Sequence, residues 1–177
     1  GVRGLYRSNP YSEWYRNSYR VPGSPSEQHH LRVYGDRDYY DFASDFDREA
    51  AAADTDALAA TLRSAGAEYV VLTSKHHEGF CLWPSAQSWN WNSVDVGPHR
   101  DLAGDLIHAV RAKGLKMGFY YSIYEWYNPL YQSNIEQFVT EHMLPQLKDL
   151  VVRYEPDLVW PDGEWDHPSE VWRSAEF

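Results

Sequence analysis

One cysteine, two methionines and the absence of any long apolar run remove several classes of protein before a motif is considered. A single thiol, Cys81, can build neither an internal disulfide framework nor a multi-cysteine zinc site. No stretch approaches the roughly 20 apolar residues of a membrane-spanning helix. Basic residues are the scarcer charge. With 16 Lys and Arg against 26 Asp and Glu, the formal net charge of -10 disfavours nucleic acid and anionic membrane surfaces as partners. A neutral or cationic ligand fits better. The first residues, GVRGLYRSNP, carry neither a charged n-region nor an apolar core, so no signal peptide is expected there.

What the chain has in excess is aromatic side chains, 16% of 177 residues, with 8 Trp and 14 Tyr. Many stand beside Asn, Glu, His or Pro, as in Trp89-Asn90-Trp91-Asn92 and Tyr124-Glu125-Trp126-Tyr127. Amphipathic rings in such company suit half-wet sites, which leaves two readings, packed loops or a sugar-binding surface.

Successive β-α units are the dominant pattern. Residues 69–72 (YVVL) form a short β-branched run that reads as a strand covered on both faces, ending in Lys75, His76, His77 and Glu78. Residues 117–122 (MGFYYS) and 157–163 (DLVWPDG) repeat the design. Helical spacing precedes each. Residues 54–65 place Ala57, Leu58, Leu62 and Ala65 on one face, and residues 101–113 do the same with Leu102, Leu106, Ala109 and Val110 before Gly114. Residues 135–152 read as a long helix that Pro145 bends or divides, with Phe138, Leu147, Leu150 and Val151 inward. Residues 1–45, punctuated by Pro10, Pro22, Gly23 and Pro25, contain no clear helix or buried strand and are expected to be an irregular aromatic loop region. The expected architecture is α/β, part of a (β/α)8 TIM barrel covering roughly strands two to four, with residues 1–177 a fragment of a single catalytic domain and residues 46–177 its β-α units.

In such a barrel, chemistry gathers at the carboxyl ends of the strands. His76 and His77 are adjacent, so on an extended backbone their side chains leave on opposite faces and do not chelate one metal. Neutral imidazoles there suit hydrogen bonds to ligand hydroxyls, oriented by Glu78 or Lys75. Asp162 is the leading single candidate. A carboxylate after Trp160 and Pro161 at a strand end can act as a nucleophile, although Pro-Asp-Gly alone also describes an ordinary turn.

Together, SKHHEGF with SWNWNSVDVGPHRDL, GFYYSIYEWYNPLY and PDLVWPDGEW resemble the α-L-fucosidases of glycoside hydrolase family 29, in the family's order and spacing. The match runs from about Ala51 onward, SEWY near the N-terminus resembles the family's early Glu-Trp pair, and the branch it most resembles includes the animal lysosomal enzymes. The resemblance implies a retaining exo-glycosidase that releases terminal α-L-fucose through a covalent intermediate on Asp162. It further implies that Trp160 and Tyr120 line the sugar pocket, that His76 and His77 hydrogen-bond fucose hydroxyls, and that Glu13 and Trp14 help enclose the sugar. It implies no metal or organic cofactor, a fucosylated glycoconjugate as substrate, and a general acid supplied beyond Phe177; it leaves homo-oligomerisation open. Two other readings are a noncatalytic carbohydrate-binding protein and a metal-dependent hydrolase using His76, His77 and His99.

Overall fold

The computed structural model describes residues 12–176. These divide into two compact units, one ending at Ala43 and one beginning at Ser44, and each is described by itself.

The first unit is helical, where a loop was expected. A 3-10 turn, Ser12–Trp14, runs into α1, Tyr15–Tyr19, and α2 follows over Pro25–Tyr34. The signal was present in residues read as loop punctuation. Ser24 caps α2 by accepting from the Glu27 amide, and Pro25 occupies the first turn, where its missing N–H costs nothing. Aromatic packing replaces an aliphatic stripe, which is why no helical periodicity was visible. His30 stacks on Tyr19 at 4.2 Å between ring centroids and accepts from the Tyr15 hydroxyl at 2.7 Å, while its Nε2 donates to the Arg37 carbonyl at 2.8 Å. Arg16 is buried and lies over the ring of Tyr40, at 4.7 Å, while bonding that residue's hydroxyl. A 3-10 turn at Tyr39–Phe42 ends the unit, and α3, Ala43–Ala51, belongs to the second unit from Ser44 on.

The second unit alternates helix and strand as the sequence implied. Its helix α4 spans Thr55–Ser64, β1 spans Tyr69–Lys75, α5 spans Leu102–Ala112 and β2 spans Lys116–Ser122. The caps are aspartates: Asp54 accepts from the Ala57 amide and Asp101 from the Gly104 amide, and Gly114 ends the α5 turn at φ +70°. A short α6, Pro129–Ser133, precedes α7, Ile135–Gln137. The expected long helix is then divided by a π-helical turn, Phe138–Met143, before α8, Leu144–Tyr154, with Pro145 in the first turn of α8. Proline offers no amide to the ladder, and the wider turn absorbs the break. The strand β3 is Leu158–Asp162, and α9 is Ser169–Trp172.

The three strands form one parallel sheet in the order β1-β2-β3. Val71 pairs with Gly118, Thr73 with Tyr120, and in turn Tyr120 with Trp160 and Ser122 with Asp162. Gly118 admits β3: a methyl there would stand 2.9 Å from the Leu158 Cβ. One face is packed. Met117, Phe119 and Tyr121 join Leu106, Ile107 and Val110 of α5 and Leu147 and Leu150 of α8 in a continuous core, with Val70, Leu72 and Val159 against it.

The opposite face corrects the expectation that β1 is covered on both sides, because Tyr69 and Leu158 are exposed there among the described residues. On α4 the inward residue is Ala59, with Leu62 beside the core and Leu58 outside. On α8, Val151 is exposed, one position off the buried Leu147–Leu150 stripe. The apolar content of each helix was legible, its rotation less so.

Candidate active site at the strand ends

The carboxyl ends of the three strands converge. After Lys75 the backbone leaves the extended conformation in a turn closed by the Gly79 amide on the His76 carbonyl, 3.1 Å. That turn corrects the expectation of opposed side chains, since the His76 and His77 rings lie 3.9 Å apart between centroids, on the same side. Gly79 sits at φ +84°, a conformation that favours glycine, and a Cβ there would meet the Glu125 carboxylate at 2.7 Å.

From β2, Tyr120 stacks near His76, at 5.7 Å and 13° between ring planes, and its hydroxyl donates to the Asp162 Oδ2 at 2.6 Å. Asp162 ends β3, half-buried, and the next residue, Gly163, turns the chain at φ +95°. Backbone bonds tie the ends together: Ile123 donates to the Asp162 carbonyl at 2.9 Å and Trp126 to the His77 carbonyl at 3.0 Å. Trp160, the register partner of Tyr120, shares the open face and is 59% exposed.

The proton on His77 is fixed by its neighbours. Its Nδ1 lies 2.6 Å from the Ser122 Oγ, and Ser122 is also 2.7 Å from the Tyr124 carbonyl. A carbonyl only accepts, so the single serine proton goes to Tyr124 and His77 must donate from Nδ1. Nε2 of the neutral ring is then an acceptor. Burial, reinforced by His76 and Lys75 and opposed by the Asp162 carboxylate, lowers the His77 pKa to about 4, so the ring is neutral at neutral pH.

Five of the seven sequence candidates, His76, His77, Tyr120, Trp160 and Asp162, thus occupy one end of one sheet. Glu13 and Trp14 lie in the other unit, on the turn before α1, with Glu13 exposed and Trp14 half-buried. His99 donates away from this cluster, its Nδ1 2.9 Å from the Val94 carbonyl, and among the described residues no group of three His, Cys, Asp or Glu side chains could hold a metal ion.

Comparison with known proteins gives this arrangement a family. The family model described as Alpha-L-fucosidase matches residues 1–177. The chain belongs to the alpha-L-fucosidase family. It is 43% identical to the alpha-L-fucosidase of Dictyostelium discoideum over 97% of this chain and 40% of that protein. It is 44% identical to the tissue alpha-L-fucosidase of Homo sapiens over 94% of this chain and 37% of that protein. Among solved structures, that of the Thermotoga maritima alpha-fucosidase in complex with fucose superposes with a TM-score of 0.80 at 36% identity, over 98% of this chain and 43% of that one. The chain therefore spans about 40% of the length of the fucosidases it matches.

Two features of this fucosidase-family site were not read from the sequence. The first is a buried polar network behind the histidines. Lys75, expected to orient them, turns into the core and pairs with the Glu125 Oε2 at 3.0 Å, which His142 also reaches at 3.0 Å. Lys75 further donates to the Tyr121 hydroxyl, which donates to Gln146 at 2.9 Å. Burial pushes the Glu125 carboxyl up, but Lys75 and His142 outweigh it and hold the group at about 2. Glu78, the other expected orienter, stays with His76 at 3.8 Å. Cys81 is buried against this network, its thiol pushed up to about 12 mainly by burial, which matches inert packing. The second feature is Trp165, 55% exposed, with its ring 5.3 Å from that of His77 and 5.6 Å from that of Tyr124. The repeated Trp of WPDGEW was the available signal for it.

Proposed function

We propose that this chain carries the nucleophile side of a retaining α-L-fucosidase active site, built on roughly the second to fourth strands of a (β/α)8 barrel. The observation that carries the reading is the Asp162 carboxylate at the end of β3, half-buried and bonded by Tyr120 of β2 at 2.6 Å, on the same end of the sheet as the His76–His77 pair that follows β1. In this reading Tyr120 occupies Oδ2 and aims Oδ1 at the anomeric carbon of fucose. The carbon–oxygen bond to the leaving sugar breaks as the Asp162–carbon bond forms, and the leaving oxygen takes a proton from a general acid. Water then attacks the fucosyl ester, its proton returning to that same group, and fucose departs with its configuration retained. The lone pair on His77 Nε2 accepts from a fucose hydroxyl, His76 bonds a second, and Trp160 offers an indole face to the sugar's C–H groups.

The general acid is expected from another strand of the barrel. Glu125 is unsuited to the role, since a carboxyl held at about 2 has no proton to give near neutral pH. Support for the substrate comes from the family and from the fucose complex of the Thermotoga maritima relative.

The test is hydrolysis of an aryl α-L-fucoside by the full-length protein and by its Asp162→Asn variant. Turnover by the parent that falls roughly 10⁴-fold in the variant, with fucose binding retained, is the expected result. Fucose binding without turnover by the parent would mean a carbohydrate-binding protein instead.

A further inference from the structure

Beside the histidine pair, the segment 123–135, which carries α6, and the loop 163–167 line an open cleft of about 510 Å³, within the roughly 300–1,000 Å³ of small-ligand sites. It is lined by Tyr124, Trp126, Tyr131, Asn134, Asp166 and His167 among others. A run of rings connects it to the catalytic end of the sheet. His77 meets Trp165 at 5.3 Å, Trp165 meets Tyr124 at 5.6 Å, Tyr124 meets Tyr131 edge-on at 5.1 Å, and Tyr131 meets His167 at 6.4 Å. The Tyr131 hydroxyl donates to the Asp166 Oδ2 at 2.9 Å, which fixes the carboxylate at the cleft mouth. Asp166 and Asn134 are exposed. The lining therefore combines ring faces with acceptors and an amide, the complement of a polyhydroxylated ring that has C–H faces and hydroxyl edges. An anionic ligand would meet Asp166.

We infer that this cleft is the subsite for the sugar that carries the fucose, a neutral pyranose packed against Tyr124 and Tyr131 with a hydroxyl donating to Asp166. The inference rests on the fucosidase reading. It makes the cleft, rather than the fucose pocket, the determinant of which linkages are cut.

The experiment compares two substrates in the full-length protein. α-L-Fucosyl fluoride has a one-atom leaving group that cannot reach the cleft, whereas fucosyl disaccharides, linked in turn through each hydroxyl of a neutral hexose, must place their second ring there. Asp166→Ala is expected to lower the ratio of kcat/KM on the preferred disaccharide to kcat/KM on the fluoride about tenfold, the worth of one charge-assisted hydrogen bond. It should also flatten the preference among linkages. An unchanged ratio in Asp166→Ala and in a second variant, His167→Gln, overturns the subsite, and thermal unfolding of each confirms that the folded protein was measured. Failure of the parent on fucosyl fluoride itself overturns the fucosidase reading, and the subsite with it.

Discussion

His77 shows how a residue's chemistry is set by what lies behind it. Its Nδ1 is committed to Ser122, Ser122 is committed to the Tyr124 carbonyl, and the ring is walled by Tyr124, Trp126 and Trp165. Protonating Nε2 would place a cation beside His76 and Lys75 in a desolvated site, which is why its pKa falls from 6.5 to about 4. The direction has a consequence for stability. Because the unfolded ring protonates first, the unfolded state binds more protons between these two values, so the His77 contribution is whole above pH 6.5 and is lost progressively as pH falls toward about 4. Glu125 adds a separate window, its contribution present above 4.5 and lost toward about 2. Thermal unfolding of the full-length protein as a function of pH is expected to show a decline beginning near 6.5 that His77→Gln removes, while the steeper decline at lower pH persists. A variant profile identical to the parent between 6.5 and 4 would contradict the neutral-histidine assignment. The same Nε2 lone pair should serve ligand binding, so fucose affinity in the parent should hold down to about pH 5 and weaken below it.

At the scale of elements, the site depends on a clasp between the turn after β1 and the loop after β2. Lys75 and Glu125 are both buried and meet at 3.0 Å, and Glu125 also accepts from His142 and from the Asn128 side chain. Gly79 has room for no side chain against that carboxylate. Removing one partner strands a buried charge, so Lys75→Met is expected to destabilise the full-length protein by about 3–5 kcal/mol, with Lys75→Met/Glu125→Leu recovering part of the loss. Denaturant unfolding of the three proteins measures it, and a double variant no better than the single one would deny the pair its coupling. This clasp also marks the limit of what the sequence made legible. Parallel strands and their order along the chain follow from local patterns, as does the convergence of strand ends that unites His77 with Asp162. The inward turn of Lys75 does not, because its partners Tyr121 and Glu125 are 46 and 50 positions away and carry no periodic signal. Nor do α1 and α2, whose core is His30, Tyr19 and Arg16 in place of aliphatic residues. The adjacency of His76 and His77 misled for a related reason. A two-residue alternation holds only while the backbone stays extended, and it stops at Lys75.

For the whole molecule, the decisive feature is a sheet with one packed face and one open one. The open face presents Tyr69 from β1, 63% exposed, with Leu158 and Trp160 from β3, while Met117, Phe119 and Tyr121 alternate with it into the helix-covered core. Among the described residues, β1 and β3 each pair along one edge only. In a closed barrel both conditions disappear, because the inward face packs on side chains from the remaining strands and every strand has two neighbours. The proposed barrel thus predicts that the 177-residue chain expressed by itself lacks a stable fold. Loss of that interior and of two strand pairings is set against a usual margin of roughly 5–15 kcal/mol. Expressed alone, it should bind a hydrophobic dye, unfold without a cooperative transition and leave an aryl α-L-fucoside unhydrolysed, where the full-length protein is expected to unfold cooperatively and turn it over. A cooperative transition with full-length turnover would require the open face to be covered within these residues, and would move the search for the general acid to Glu164 and Glu170, the exposed carboxylates that follow Asp162.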